Sequence, residues 1–121
     1  MKILICDDDP MTLRTLEFQF KREGYEIVKT VNGRDAAKIL DETYDFDLLI
    51  ADLYMPMMTG MELVTYVRKT LQRQTPIIIV SRVNIDENIE QALELGANAY
   101  LTKPFNLTEL SSTVKKVLNI D

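Results

Sequence analysis

Apolar residues along this chain fall into two kinds of run that alternate. Short, nearly continuous runs at Lys2 to Cys6, Leu48 to Ala51 and Ile77 to Val80 read as strands, as do the less apolar Glu26 to Thr30 and Ala99 to Leu101. Between them lie longer segments whose apolar residues recur every three or four positions, the spacing of an amphipathic helix. Leu48 to Ala51 and Ile77 to Val80 are almost wholly apolar, which predicts strands covered on both faces.

Punctuation marks the helix ends. Asp9 can cap a first helix, with Pro10 at its first position, Leu13, Leu16 and Phe20 on its buried face, and Gly24 after its end. Asn32 with Asp35 starts a second. Thr59-Gly-Met-Glu62 and Asn106-Leu-Thr-Glu109 have the form of capping boxes and open the third and fifth helices. Leu107, Leu110, Val114 and Val117 form the buried stripe of the fifth. Asn84 to Glu87 predicts the cap of the fourth, and Gly96 closes it.

Five strands alternating with five helices predict an α/β fold: one five-stranded parallel sheet, doubly wound, in the flavodoxin-like order 2-1-3-4-5. Reactive groups in such folds gather at the carboxyl ends of the strands, near the point where strand order reverses. Asp7, Asp8 and Asp9 follow the first strand, Asp52 the third, Ser81 the fourth, and Lys103 with Pro104 the fifth. Strands 1 and 3 are neighbours in this order, so Asp7, Asp8 and Asp52 converge.

Composition narrows the chemistry. The 121 residues, 46% hydrophobic and 27% charged, fit a single globular domain spanning 1–121. A net charge of −5 with no basic stripe argues against direct nucleic-acid binding. Histidine is absent, which excludes Ser-His-Asp and Cys-His pairs and imidazole zinc sites. The single cysteine, Cys6, lies inside the first strand and reads as a small buried hydrophobe in a reducing compartment. With no apolar stretch of membrane-spanning length and no signal-peptide pattern, the expected location is the cytoplasm.

Like charges in the aspartate run repel by about 4 kcal/mol per close pair at an effective dielectric of ~20, so the cluster needs a compensating cation or open solvent. An all-oxygen cluster suits Mg²⁺, which takes one or two carboxylates and favours a phosphate oxygen as a further ligand. Asp52 then fits the role of nucleophile toward a phosphoryl group, because a carboxylate needs no base to activate it at neutral pH. Lys103 would spread the charge of the transferring oxygens, and Ser81 could donate its hydroxyl to them.

The runs ICDDDP, DLLIADLYMPMMTG, IIIVS and AYLTKPF together resemble the receiver domain of two-component response regulators, in particular chemotaxis-regulator-like receivers, from Lys2 to Leu118. The resemblance implies that Asp52 accepts a phosphoryl group from a sensor histidine kinase or phosphotransfer protein. It implies an Mg²⁺ ion held directly by Asp8 and mostly through water by Asp7, with Asp52 and the backbone carbonyl of Tyr54 completing the protein ligands. Ser81 matches the hydroxyl switch position, Tyr100 the aromatic switch, and Lys103 the site lysine, followed by a cis peptide to Pro104. The output face implied is helix 4, strand 5 and helix 5, toward a downstream partner, an effector domain or a second copy on phosphorylation. Such a domain catalyses only its own phosphorylation and dephosphorylation. Both a stand-alone receiver and a piece of a longer regulator fit the chain.

Two departures from the family pattern stand out. Arg82 occupies a place where a small residue is usual, so its side chain either crowds the route to Asp52 or reaches solvent or an acid nearby. Tyr54 and Val83, bulky and without carboxamide or acid, imply poor positioning of attacking water and slow self-dephosphorylation. Plainer readings compete at several positions: Asp9 as a helix cap rather than a metal ligand, Met55, Met57, Met58 and Met61 as gap-fillers, and Tyr100 as simple packing. Rival functions are a phosphorylation-independent scaffold, a haloacid-dehalogenase-like phosphatase using Asp7-x-Asp9, and a flavin carrier. The phosphatase leaves Asp52 without a role, and the aspartates would repel a flavin phosphate.

Overall fold

In the computed structural model, which describes residues 1–120, strands and helices alternate along the chain. They are β1 (Lys2–Cys6), α1 (Pro10–Arg22), β2 (Glu26–Thr30), α2 (Gly33–Glu42), β3 (Leu48–Asp52), α3 (Gly60–Thr65), β4 (Ile77–Ser81), α4 (Asp86–Leu95), β5 (Ala99–Thr102) and α5 (Leu107–Leu118). All strand pairs are parallel and the order is β2-β1-β3-β4-β5, as the alternation predicts. The last three strands each run one residue further than their apolar cores, so Asp52 and Ser81 end their strands rather than follow them.

Side chains along each strand alternate between two cores. Ile3, Ile5, Leu48, Ile50, Ile78 and Val80 pack with Leu13, Leu16 and Phe20 of α1 and with Leu110 and Val114 of α5. Leu4, Cys6, Leu49, Ala51, Ile77 and Ile79 pack with α2, α3 and α4 on the other face. Asp7 continues the row of Ile3 and Ile5, and Asp52 that of Leu48 and Ile50, so both acids extend toward the α1 and α5 side of the sheet edge. Ser81 continues the opposite row.

Most helix ends form as predicted. The Asp9 side chain accepts from Met11 N, with Pro10 opening α1, and Asn32 accepts from Asp35 N at 2.8 Å. Thr59 and Glu62 make both bonds of the capping box, at 3.2 and 3.0 Å. At α5 only half of the box forms: Asn106 caps Glu109 N. Leu110 and Val114 are fully buried, whereas Leu107 and Val117 are partly so. The expected cap of α4 is corrected by the structure. Asn84 lies one residue too early, and Ile85, which has no side-chain acceptor, occupies the cap position. Asp86 and Glu87 in the first turn supply negative charge to the helix start instead.

One feature of helix 3 was not foreseen. After Thr65 it widens into a π-helical segment, Tyr66–Thr70, closed by Leu71 N donating to Tyr66 O at 2.9 Å. From this segment Arg68 donates to the carbonyl of Gly96 and to Asn98 Oδ1, at 2.9 and 3.0 Å, tying helix 3 to the end of α4. Gly96 sits there at φ 121°, a conformation that glycine adopts without strain.

Candidate functional site

The sheet register assembles the site. Cys6 lies opposite Ala51, so the next residues, Asp7 and Asp52, meet at the carboxyl edge of β1 and β3. On the other side Ser81 pairs with Thr102, and Lys103 N extends that ladder by donating to Ser81 O at 2.7 Å. Lys103 thereby enters the site. Its Nζ donates to Asp7 Oδ2 at 2.7 Å and to Asp52 Oδ2 at 2.8 Å. The remaining oxygens of both acids are held by backbone: Asp9 N donates to Asp7 Oδ1 at 2.9 Å, and Tyr54 N to Asp52 Oδ1 at 3.2 Å.

Asp7, Asp8 and Asp52 each offer an oxygen within 4.8 Å of the other two. Asp7 is buried, Asp52 partly so, and Asp8 exposed, so the cluster opens outward past Asp8. A cavity of about 240 Å³ lies over it, lined also by Asp9, Tyr54, Ser81, Arg82 and Lys103. Burial works to lower the pKa of Lys103, but the hydrogen bonds to Asp52 and Asp7 outweigh it and hold the value above that of a free lysine. The ammonium is therefore charged at neutral pH. One fixed positive charge against three carboxylates leaves an oxygen-only site with an excess of negative charge, the donor set that a hard divalent cation fits.

Asp9 takes no part in that cluster. Its carboxylate accepts from Thr12 Oγ1 at 2.7 Å and Met11 N at 3.2 Å, and these bonds hold its pKa below the usual carboxylate value. It is a helix cap. Cys6 is fully buried, its thiol pushed up to about 11 chiefly by desolvation, in keeping with a core residue. Met55 is buried beside it, with Sδ 3.0 Å from the Cys6 sulfur, while Met57 is exposed.

Ser81 and Tyr100 both bind Val83 in the loop after β4. Buried Ser81 accepts from Val83 N at 3.1 Å through Oγ, a bond that does not use its own hydroxyl proton. The half-buried Tyr100 donates its hydroxyl to Val83 O at 2.7 Å, and burial is the main cause of its raised pKa. Arg82 between them is exposed. It stands at the mouth of the acidic cavity and also borders an apolar groove of about 600 Å³ formed with Met11, Thr15, Leu16, Phe105 and Leu107. The peptide between Lys103 and Pro104 is cis.

One supporting residue was missed in the sequence. A Cβ at Gly60 would stand 2.5 Å from Asp52 O and 2.9 Å from Leu53 Cα, so only glycine lets α3 begin this close to the end of β3. Its place directly after Thr59 of the capping box was the available signal. Gly60 N also donates to Leu53 O at 2.7 Å.

The model of the response regulator receiver domain matches residues 3–115. Similar solved structures include a two-component response regulator from Clostridium difficile, 28% identical over 98% of this chain and 96% of that one, with a TM-score of 0.91. The chemotaxis response regulator CheY4 of Vibrio cholerae is 32% identical over 96% of this chain and 97% of its own, with a TM-score of 0.88. The signal receiver domain of a signal transduction histidine kinase from Syntrophus aciditrophicus is 32% identical over 98% and 89%, with a TM-score of 0.87.

Proposed function

We propose, from the premise that this chain belongs to the response regulator receiver family and so to phosphorylation-dependent signalling, that Asp52 is its phosphoacceptor and that residues 1–121 form one receiver domain. The observation that carries this reading is Lys103 Nζ held between Asp7 and Asp52 at 2.7 and 2.8 Å. It fixes the Asp52 carboxylate in place at the floor of the cavity.

An Asp52 oxygen attacks the phosphorus of a phosphohistidine on a sensor histidine kinase or phosphotransfer protein. The N–P bond breaks, the imidazole nitrogen leaves with the electron pair and takes up a proton, and Asp52 becomes an acyl phosphate. Mg²⁺, held by Asp7, Asp8, Asp52 and the Tyr54 backbone carbonyl, would supply charge neutralisation for the transferring oxygens when bound. Lys103 donates to the same oxygens from the inner side. Ser81 turns its hydroxyl proton toward the phosphoryl group.

Because Val83 accepts from Tyr100 and donates to Ser81, movement of Ser81 is carried to β5 through one short loop. The α4, β5 and α5 face then changes its affinity for a downstream partner, an effector domain or a second copy. The committed engagement of Asp9 as a cap counts against a phosphatase built on Asp7 and Asp9. The net charge of −5 supports partners other than nucleic acid. No helix among the described residues is long and apolar enough to cross a membrane, and the proposed setting is the cytoplasm.

Intact mass after incubation with acetyl phosphate tests the reading. One phosphoryl adduct that requires both Mg²⁺ and Asp52, and is lost in Asp52→Asn, is expected. An adduct that survives Asp52→Asn, or none even with a histidine kinase donor, overturns it.

A further inference from the structure

Arg82 is the one basic side chain besides Lys103 that lines the acidic cavity. Lys103 is spent on two carboxylates, whereas Arg82 takes part in none of the ion pairs found among the described residues. An unpaired guanidinium at the mouth of an acidic cavity is unexpected if its purpose is to neutralise those acids. It fits a group that arrives later.

Phosphorylation brings such a group. Conversion of the Asp52 carboxylate to an acyl phosphate dianion adds one negative charge and places three acceptor oxygens further out, toward the mouth, whatever ion the carboxylates hold. The planar fork of a guanidinium matches two phosphoryl oxygens, which a carboxylate already bonded to Lys103 and backbone N–H cannot offer it. Arg82 also directly follows Ser81, so the same loop that supplies the hydroxyl donor supplies the cation.

We propose that Arg82 is a catalytic residue of phosphoryl transfer to Asp52: its guanidinium binds the phosphoryl oxygens of the incoming donor and of the aspartyl phosphate from the mouth of the cavity. This rests on Asp52 being the phosphoacceptor. The reaction with acetyl phosphate is balanced by the Asp52 oxygen forming the new P–O bond while the bond from phosphorus to the acetyl oxygen breaks and acetate leaves with the electron pair. Arg82 contributes charge and hydrogen bonds to the equatorial oxygens and exchanges no proton. The side chain acts by attraction, not by closing the route.

Charge and bulk separate cleanly in three variants: Arg82→Ala, Arg82→Gln and Arg82→Lys. The exposed position lets each fold as the wild type does, checked by thermal midpoint. Two quantities are read on each: the rate of adduct formation at low acetyl phosphate, by intact mass, and the affinity for beryllium trifluoride, a phosphoryl mimic, by calorimetry. The expected result is a loss of about tenfold in both for Ala and Gln, with Lys recovering part of it. Faster adduct formation in Arg82→Ala with Gln unchanged would overturn the inference in favour of a steric gate. Equal values in all four proteins would overturn it in favour of a solvated side chain. A wild type that takes neither acetyl phosphate nor beryllium trifluoride overturns the reading of Asp52, and this inference with it.

Discussion

Lys103 Nζ lies 2.7 Å from Asp7 Oδ2, although 96 positions of sequence separate the two residues. Asp7 is buried and Lys103 is its only ion-pair partner among the described residues. A carboxylate in that setting depends on its cation, because desolvation is tolerated only where charge and hydrogen bonds replace water.

Lys103→Met therefore destabilises the protein in the presence of a chelator, by about 1.5–3 kcal/mol, the range for a hydrogen bond to a charged group. Urea unfolding measures it. Adding Mg²⁺ raises the midpoint more in the variant than in the wild type, since the ion then replaces the missing cation.

Asp8→Asn shifts stability the other way. Asp8 is exposed and pairs with no lysine or arginine among the described residues, yet it stands within 4.8 Å of two other carboxylates. Removing its charge relieves repulsion, so the thermal midpoint without metal rises by a few degrees. Divalent-ion affinity falls in the same variant. Changes around a metal ligand already cost about 10–100-fold in affinity, and loss of a direct carboxylate costs at least that. A variant that is less stable without metal, with unchanged Mg²⁺ affinity by calorimetry, would contradict the site as drawn.

Gly60→Ala tests the support beneath Asp52. The added Cβ meets the backbone of Asp52 and Leu53, not a side chain that can swing away. Either α3 retreats or the end of β3 bends. We expect a loss of about 1–3 kcal/mol, as for overpacking elsewhere, together with a weaker response to Mg²⁺. Unfolding and calorimetry on the same sample measure both.

Glu17 gives a pH signature remote from the site. Hydrogen bonds from Lys29 and Lys21 hold its carboxyl below the usual glutamate value, at 2.9 and 3.0 Å. A group whose pKa is lower folded than unfolded adds stability above its unfolded pKa, and that stability is lost as pH falls through the folded pKa. Glu17→Gln is thus modestly less stable than wild type at pH 7, and the gap closes as the solution is taken below pH ~4.3, the unfolded glutamate value. Chemical unfolding across that range shows it, and added salt narrows the gap at pH 7.

The order of elements and the residues at the strand ends were legible because both are local signals. Apolar runs, caps at Asp9, Asn32 and Thr59, and alternation of strand with helix each need only neighbouring residues. Where a local signal pointed wrongly, tertiary packing had the last word. Asn84 has the better capping side chain, but the chain emerging from β4 turns into α4 one residue later, and Ile85 takes the cap position. The π-helical segment after Thr65 carries no cap or breaker that a reading of neighbours would detect; Arg68 on that segment binds Gly96 and Asn98, residues 28 and 30 positions away.

By itself, then, the sequence determined the α/β class, the strand ends where acids and lysine gather, and the chemistry those residue types permit. Only the tertiary structure decided the distances: that oxygens of Asp7, Asp8 and Asp52 come within 4.8 Å of one another, that Lys103 spans two of these acids, and that Arg82 stands unpaired at the mouth. The physical reason is that periodicity and capping act over a few residues of chain. Ion pairs, cavities and the closeness of Gly60 to Asp52 arise from strand register and from packing between elements that the sequence holds far apart.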